Sequence, residues 1–142
     1  METLVITTSI AAPREAVFKA FTEKSELEKW FCPEGMTATM DELAPKEGGT
    51  FQVTMKGEDG GTHTARGTYK EVTPPEKLSF TWAWVTEESD KEEETLVEVV
   101  LTEEGDGTIV HFTHSGFDTK ESRDMHQQGW ESALKKLPAL LA

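Results

Sequence analysis

Polar and apolar residues alternate along most of the chain, and helical spacing replaces the alternation in two places. From Thr3 to Ile10, Leu4, Ile6 and Ile10 share one side while Val5, Thr7 and Ser9 take the other. Alternation of this kind predicts an antiparallel strand with one face covered. Pro13 suits the first turn of a helix, and Val17, Phe18 and Phe21 follow it at helical spacing. Ser25 and Glu28 read as a capping box opening a second short helix that carries Leu27, Trp30 and Phe31, with Pro33 and Gly35 as its stop.

From Met36 to His114 the period is two. Met36–Leu43, Thr50–Lys56, Thr62–Val72, Lys77–Val85, Thr95–Thr102 and Thr108–His114 are six predicted strands, separated by clusters of Gly, Pro and charged residues. Short connections between consecutive strands predict a meander. Asp118 and Glu121 read as a second capping box, and His126, Gly129, Trp130, Ala133 and Leu137 form one stripe of the helix behind it. Pro138 predicts a kink or stop near the end of that helix. The order of strand, two helices, six strands and a long helix makes the fold class α+β, with residues 1–142 read as one domain.

The inward faces of the strands are strongly apolar. Leu78, Phe80, Trp82 and Trp84 are answered by Val97, Val99 and Leu101, then by Val110, Phe112 and His114. The opposite faces are mostly polar, so one side of the sheet is expected to face water. Seven strands at ~4.8 Å spacing span roughly 30 Å, whereas a helix is only ~10–12 Å across. One helix covers such a sheet only if the sheet curls around it, and the curl encloses volume. The expected lining is Trp30, Phe31, Met40, Phe51, Val53 and Met55, together with Trp82, Val99, Phe112, His114, Met125 and Trp130. Gly129 on the inward stripe leaves a gap for a ligand or a neighbouring backbone.

A set of short motifs carries a resemblance over nearly the whole chain. They are Ala12-Pro13, Trp30-Phe31-x-Pro33, Gly48-Gly49-x-Phe51, Gly67-x-Tyr69-x-Glu71-Val72 and Pro75-Glu76-x-Leu78-x-Phe80-Thr81-Trp82. Thr95-Leu96-Val97-x-Val99, His114-Ser115-Gly116-Phe117 and Gly129-Trp130-x-x-x-Leu134 complete them. In this order they resemble the family named after the activator of the heat-shock-protein-90 ATPase, within the START-like, or SRPBCC, superfamily. The resemblance implies a helix-grip fold and binding of a hydrophobic or amphipathic small molecule between sheet and helix. It also implies that only the C-terminal domain of the eukaryotic co-chaperones corresponds to this chain. The second helix ends in Trp30-Phe31-Cys32-Pro33, where relatives often carry a second tryptophan and no cysteine, and Pro138 interrupts a helix that relatives often continue.

Charge narrows the partners. The net charge of −13 opposes phosphate backbones and anionic lipid surfaces, so neither nucleic acid nor membrane is expected as a partner. The run Glu87–Glu94 reads as a solvated loop, with an acidic docking surface for a chaperone or other basic protein as its second reading. The N-terminus lacks the pattern of a secretory signal, and the single Cys32 suits a reducing compartment, so a cytoplasmic protein is expected, as a monomer or weak homodimer.

Reactive chemistry is sparse. His111 and His114, three apart on a strand, point to opposite faces, so no metal site is expected. No cofactor is implied, because the glycine clusters sit in hairpin turns, where no helix follows to cradle a phosphate. No cation is evident beside Cys32, which reads as a structural thiol. His114 and His126 retain a polar role inside the cavity. The primary functional expectation is therefore a binder of a small apolar or aromatic molecule. A protein-interaction module and a cyclase- or hydrolase-type enzyme using His114 are the alternatives.

Overall fold

The computed structural model describes residues 2–33, 35–85 and 94–141; the acidic run, apart from Glu94, lies outside them. Strand β1 (Glu2–Ile10) leads into helices α1 (Arg14–Thr22) and α2 (Lys24–Trp30). Six strands follow: β2 (Thr37–Leu43), β3 (Thr50–Lys56), β4 (Thr62–Thr73), β5 (Lys77–Val85), β6 (Thr95–Glu104) and β7 (Gly107–Phe117). Helices α3 (Lys120–Leu134) and α4 (Leu137–Leu141) end the described chain. All seven strands form one curved antiparallel sheet in the order β1-β7-β6-β5-β4-β3-β2. The α+β meander expected from the alternation is thus the observed architecture, with β1 closing onto β7.

Curvature has local causes. The register slips between Met40 and Glu42 on β2 and between Tyr69 and Glu71 on β4, and a bulge bends a strand where it occurs. Gly67 on β4 lies against β5 so closely that a Cβ there would sit 1.8 Å from the Thr81 carbonyl oxygen and 2.6 Å from Phe51 Cε1. Beside it, the Thr68 N–H turns to the Thr81 hydroxyl at 2.8 Å. Only glycine permits this close approach.

Several local expectations are corrected. Glu23 alone separates α1 from α2, which places Ser25 inside the second helix, and no side-chain cap forms there. Glu28 instead accepts the Met40 N–H at 2.9 Å, tying α2 to β2. Thr119, not Asp118, caps α3, its hydroxyl accepting the Ser122 N–H at 3.1 Å. Strand β7 continues past His114 to Phe117, because Gly116 takes φ +98 and absorbs a register slip against β1. The outer face of β5 is not open to water: Ser79, Thr81 and Ala83 are small and nearly covered.

Pro138 acts before its own position. A proline clashes with the carbonyl four residues earlier, here that of Leu134, and α3 ends at Leu134. Pro138 is then accommodated in the first turn of α4. Helix α3 packs on β1 and β7, and α2 packs on β2. Over the concave surface of β3–β5 helix α3 stands further off, and it reaches β5 through long side chains, Trp84 with His126 and Trp82 with Trp130.

Candidate functional site: a cavity between α3 and β3–β5

The β3–β5 part of the sheet borders a cavity of about 520 Å³. Trp82 and Trp84 of β5, Met55 of β3 and His63 of β4 supply the sheet side. Met125, His126, Gly129, Trp130 and Ala133 of α3 face them. The segment after α2 closes one end with Phe31, Cys32, Pro33 and Met36. Met125 is 72% exposed and His63 is also exposed, so these two mark the rim.

Five of the residues expected to line the interior do so: Phe31, Met55, Trp82, Met125 and Trp130. The other seven, Trp30, Met40, Phe51, Val53, Val99, Phe112 and His114, are buried in solid packing outside the lining. Alternation reports which face a residue takes, but it does not report where along a curved face the filling ends. The aromatic packing shows that limit. Phe51 meets Tyr69, Phe80 and Trp82 at centroid distances of 5.6, 5.2 and 6.1 Å, and Phe112 meets Trp130 at 4.7 Å. Cys32, Pro33, Met36, His63, Trp84 and Ala133 belong to the wall without having been expected there. Pro33 lies in a turn segment, whose side-chain direction no periodicity gives, and Met36, read as the first residue of a strand, falls just before β2, which begins at Thr37. Gly129 leaves space for a ligand and not for a backbone: the nearest atom to a Cβ there is Pro33 Cγ, at 3.8 Å.

Two hydrogen-bond chains run beside the cavity. Trp130 Nε1–H donates to His114 Nδ1 at 3.0 Å, so the His114 proton sits on Nε2 and faces the Thr95 hydroxyl at 2.6 Å. Thr95 in turn donates to the Trp82 carbonyl at 2.9 Å. In the second chain, Trp84 Nε1–H donates to His126 Nε2 at 2.8 Å, and His126 Nδ1–H donates to the Ser122 carbonyl at 2.7 Å. Both rings are held neutral. Burial, with repulsion from His126 added, pulls His114 down to about 3. Burial also lowers His126, against the opposing effect of the Ser122 carbonyl. His114 is 0% exposed with both nitrogens in use. General acid–base work needs a nitrogen within reach of the substrate.

Cys32 does have a cationic neighbour, contrary to expectation. Lys136 Nζ donates to the Cys32 carbonyl at 2.8 Å and lies 3.7 Å from the thiol sulfur. The two residues are 104 positions apart, which hides the pair from any local reading of the sequence. Burial nevertheless dominates and pushes the thiol pKa up, with Lys136 opposing it. The thiol donates to the Met36 carbonyl at 3.3 Å. A protonated, hydrogen-bonded thiol is a poor nucleophile. Among the described residues, no group of three or more His, Cys, Asp or Glu side chains could hold a metal ion, and no helix is long and apolar enough to cross a membrane.

A curved antiparallel sheet with a C-terminal helix and an apolar space between them defines a helix-grip protein of the START-like type. The chain belongs to the family described as activator of Hsp90 ATPase homolog 1-like protein, whose pattern it matches over residues 11–142. Solved structures agree. A protein of Chromobacterium violaceum aligns with a TM-score of 0.90 at 24% identity, covering 98% of this chain and 96% of its own. The AHSA1 protein of Silicibacter pomeroyi aligns at 0.89 and 26% identity, covering 99% and 97%. A protein of Mycobacterium smegmatis aligns at 0.84 and 24%, covering 99% and 90%. No match is found among curated proteins.

Proposed function

We propose that this protein binds a small apolar or aromatic molecule in the cavity between α3 and β3–β5. The observation that carries the reading is a space of about 520 Å³ walled mainly by Phe31, Met36, Met55, Trp82, Trp84 and Trp130. Ligand sites are typically concave, apolar and of roughly 300–1,000 Å³. Binding would draw on apolar burial at roughly 25 cal/mol per Å². The histidine chains support the reading over an enzymatic one, because their nitrogens are already committed to protein partners.

A molecule that binds only the folded state raises the melting temperature. A panel of fatty acids, flavonoids and polycyclic aromatics should contain members that shift it upward in a concentration-dependent way. Gly129→Leu, which places a side chain into the cavity from α3, should abolish that shift while the protein stays folded. A panel without effect on the wild-type protein would remove the basis for this function.

A further inference from the structure

We propose that His63, at the rim of the cavity, selects aromatic molecules with a neutral hydroxyl at their outer end, which hydrogen-bonds its imidazole ring. This deepens the binding role proposed above and rests on it. The other polar side chains of the wall have nothing open to offer a ligand. Trp84 and Trp130 donate their N–H groups to His126 and His114, at 2.8 and 3.0 Å. His126 uses both ring nitrogens, one on Trp84 and one on the Ser122 carbonyl. The Cys32 thiol donates to the Met36 carbonyl at 3.3 Å. Trp82 Nε1 is buried beneath the surface of the wall. His63 differs on each count. It lines the cavity, it is exposed, and among the described residues no hydrogen bond or ion pair occupies its ring. An edge contact with Trp84, 6.4 Å between centroids, holds that ring beside the apolar wall. Strand register sets His63 opposite Met55, whose buried side chain belongs to the same wall. The imidazole thus stands where the apolar lining meets water.

The chemistry of the wall sets what the ligand carries at each end. Trp82, Trp84 and Trp130 favour a flat aromatic body, since rings pack well edge-on or offset against other rings. A polar group on that body costs its hydration if it is pushed inward without a partner. At the rim it keeps water on one side and meets His63 on the other. Among the described residues no Asp, Glu, Lys or Arg side chain lines the cavity. The net charge of −13 works against an anionic head group, so the group is neutral. A neutral imidazole presents one N–H and one bare nitrogen. A hydroxyl both donates and accepts, so it suits either nitrogen, whereas a carbonyl or ether oxygen only accepts.

2-Naphthol and 2-fluoronaphthalene share one rigid outline, and the fluorine neither donates a hydrogen bond nor accepts one well. His63→Phe keeps a ring against Trp84 and removes both nitrogens. Calorimetric titration gives the ratio of the two affinities in each protein. The ratio of naphthol to fluoronaphthalene binding should be about fivefold higher in the wild-type protein than in His63→Phe, checked for folding by circular dichroism. Fluoronaphthalene should bind the two proteins within about twofold of each other. In the wild-type protein naphthol, and not fluoronaphthalene, should move the ring nitrogen resonances of His63, an arm that stands even if the variant does not fold. An unchanged ratio in folded His63→Phe, or unmoved His63 nitrogens, would overturn the selection by His63 and leave the binding role intact. If neither compound binds while other members of the wider panel do, only the selection fails. If nothing in the panel binds, both readings fail together.

Discussion

At the scale of single residues, the direction of every hydrogen bond around His114 and His126 is set by a tryptophan donor on one side. Each ring therefore has one tautomer, and protonation would set two N–H groups against each other. The consequence for stability follows from linkage. A histidine in the unfolded chain titrates near 6.5, while burial holds His114 down to about 3 in the folded protein. Between those values the unfolded state binds more protons, so stability is full above about pH 6.5 and falls as the pH drops below it. His114 alone should cost about 2 kcal/mol between pH 6.5 and pH 5, at 1.36 kcal/mol per unit. Urea melts at the two pH values should show this loss, and His114→Gln should flatten it. A wild-type midpoint that holds constant across that range would contradict the neutral, buried assignment. The inward placement of His114 was legible from strand alternation; its partners were not. Thr95 and Trp130 reach it from other elements, 19 and 16 residues away.

At the scale of elements, the strands were more legible than their ends. Period-two alternation located all seven, since it records which face is buried. Gly116 looks like a terminator in one dimension, yet its left-handed backbone carries β7 through a bulge to Phe117. The capping boxes misled for a related reason. Helix α2 starts at Lys24, one residue after Glu23, so Ser25 is already inside it, and at α3 the Thr119 hydroxyl takes the Ser122 N–H one place after Asp118. Gly67→Ala tests the pressure between β4 and β5. With Thr81 oxygen 1.8 Å from the new Cβ, the backbone itself would have to move. The loss should be on the order of 4 kcal/mol in denaturant unfolding, at the severe end for one substitution. Gly129→Ala should go the other way. Its Cβ meets only Pro33 Cγ at 3.8 Å, and alanine in a helix interior is favoured over glycine by about 1 kcal/mol. The midpoint should rise accordingly, while affinity for large ligands falls as the wall thickens.

For the whole molecule, the decisive relation is between sheet width and helix placement. Helix α3 lies on β1 and β7, and the remaining concave face is part filled by Phe51, Phe112 and their neighbours and part empty. The existence of enclosed volume could be argued from strand count alone. Its position could not, because it depends on which strands the helix chooses. Charge acts at this scale as well. The ion pairs of the described residues involve partly exposed groups, such as Lys77 with Glu71 at 3.4 Å and Arg14 with Glu103 at 3.3 Å. Pairs of that kind contribute little, whereas a net charge of −13 repels itself throughout. Raising sodium chloride from about 10 mM to 0.5 M shortens the screening length and should raise the melting temperature. A fall would show that the paired charges outweigh the excess.

The clustering of indoles around the empty space gives the protein an optical signature of its own. Trp82 stands 4.9 Å from Trp130 and 5.4 Å from Trp84, centre to centre, close enough for their electronic transitions to couple. Trp30 sits apart in the core beside Phe21, bonded to Ala20. Three chromophores thus watch the cavity while the fourth supplies a steady background. An occupant should quench the major part of the emission and reshape the near-ultraviolet dichroism without any dye being attached.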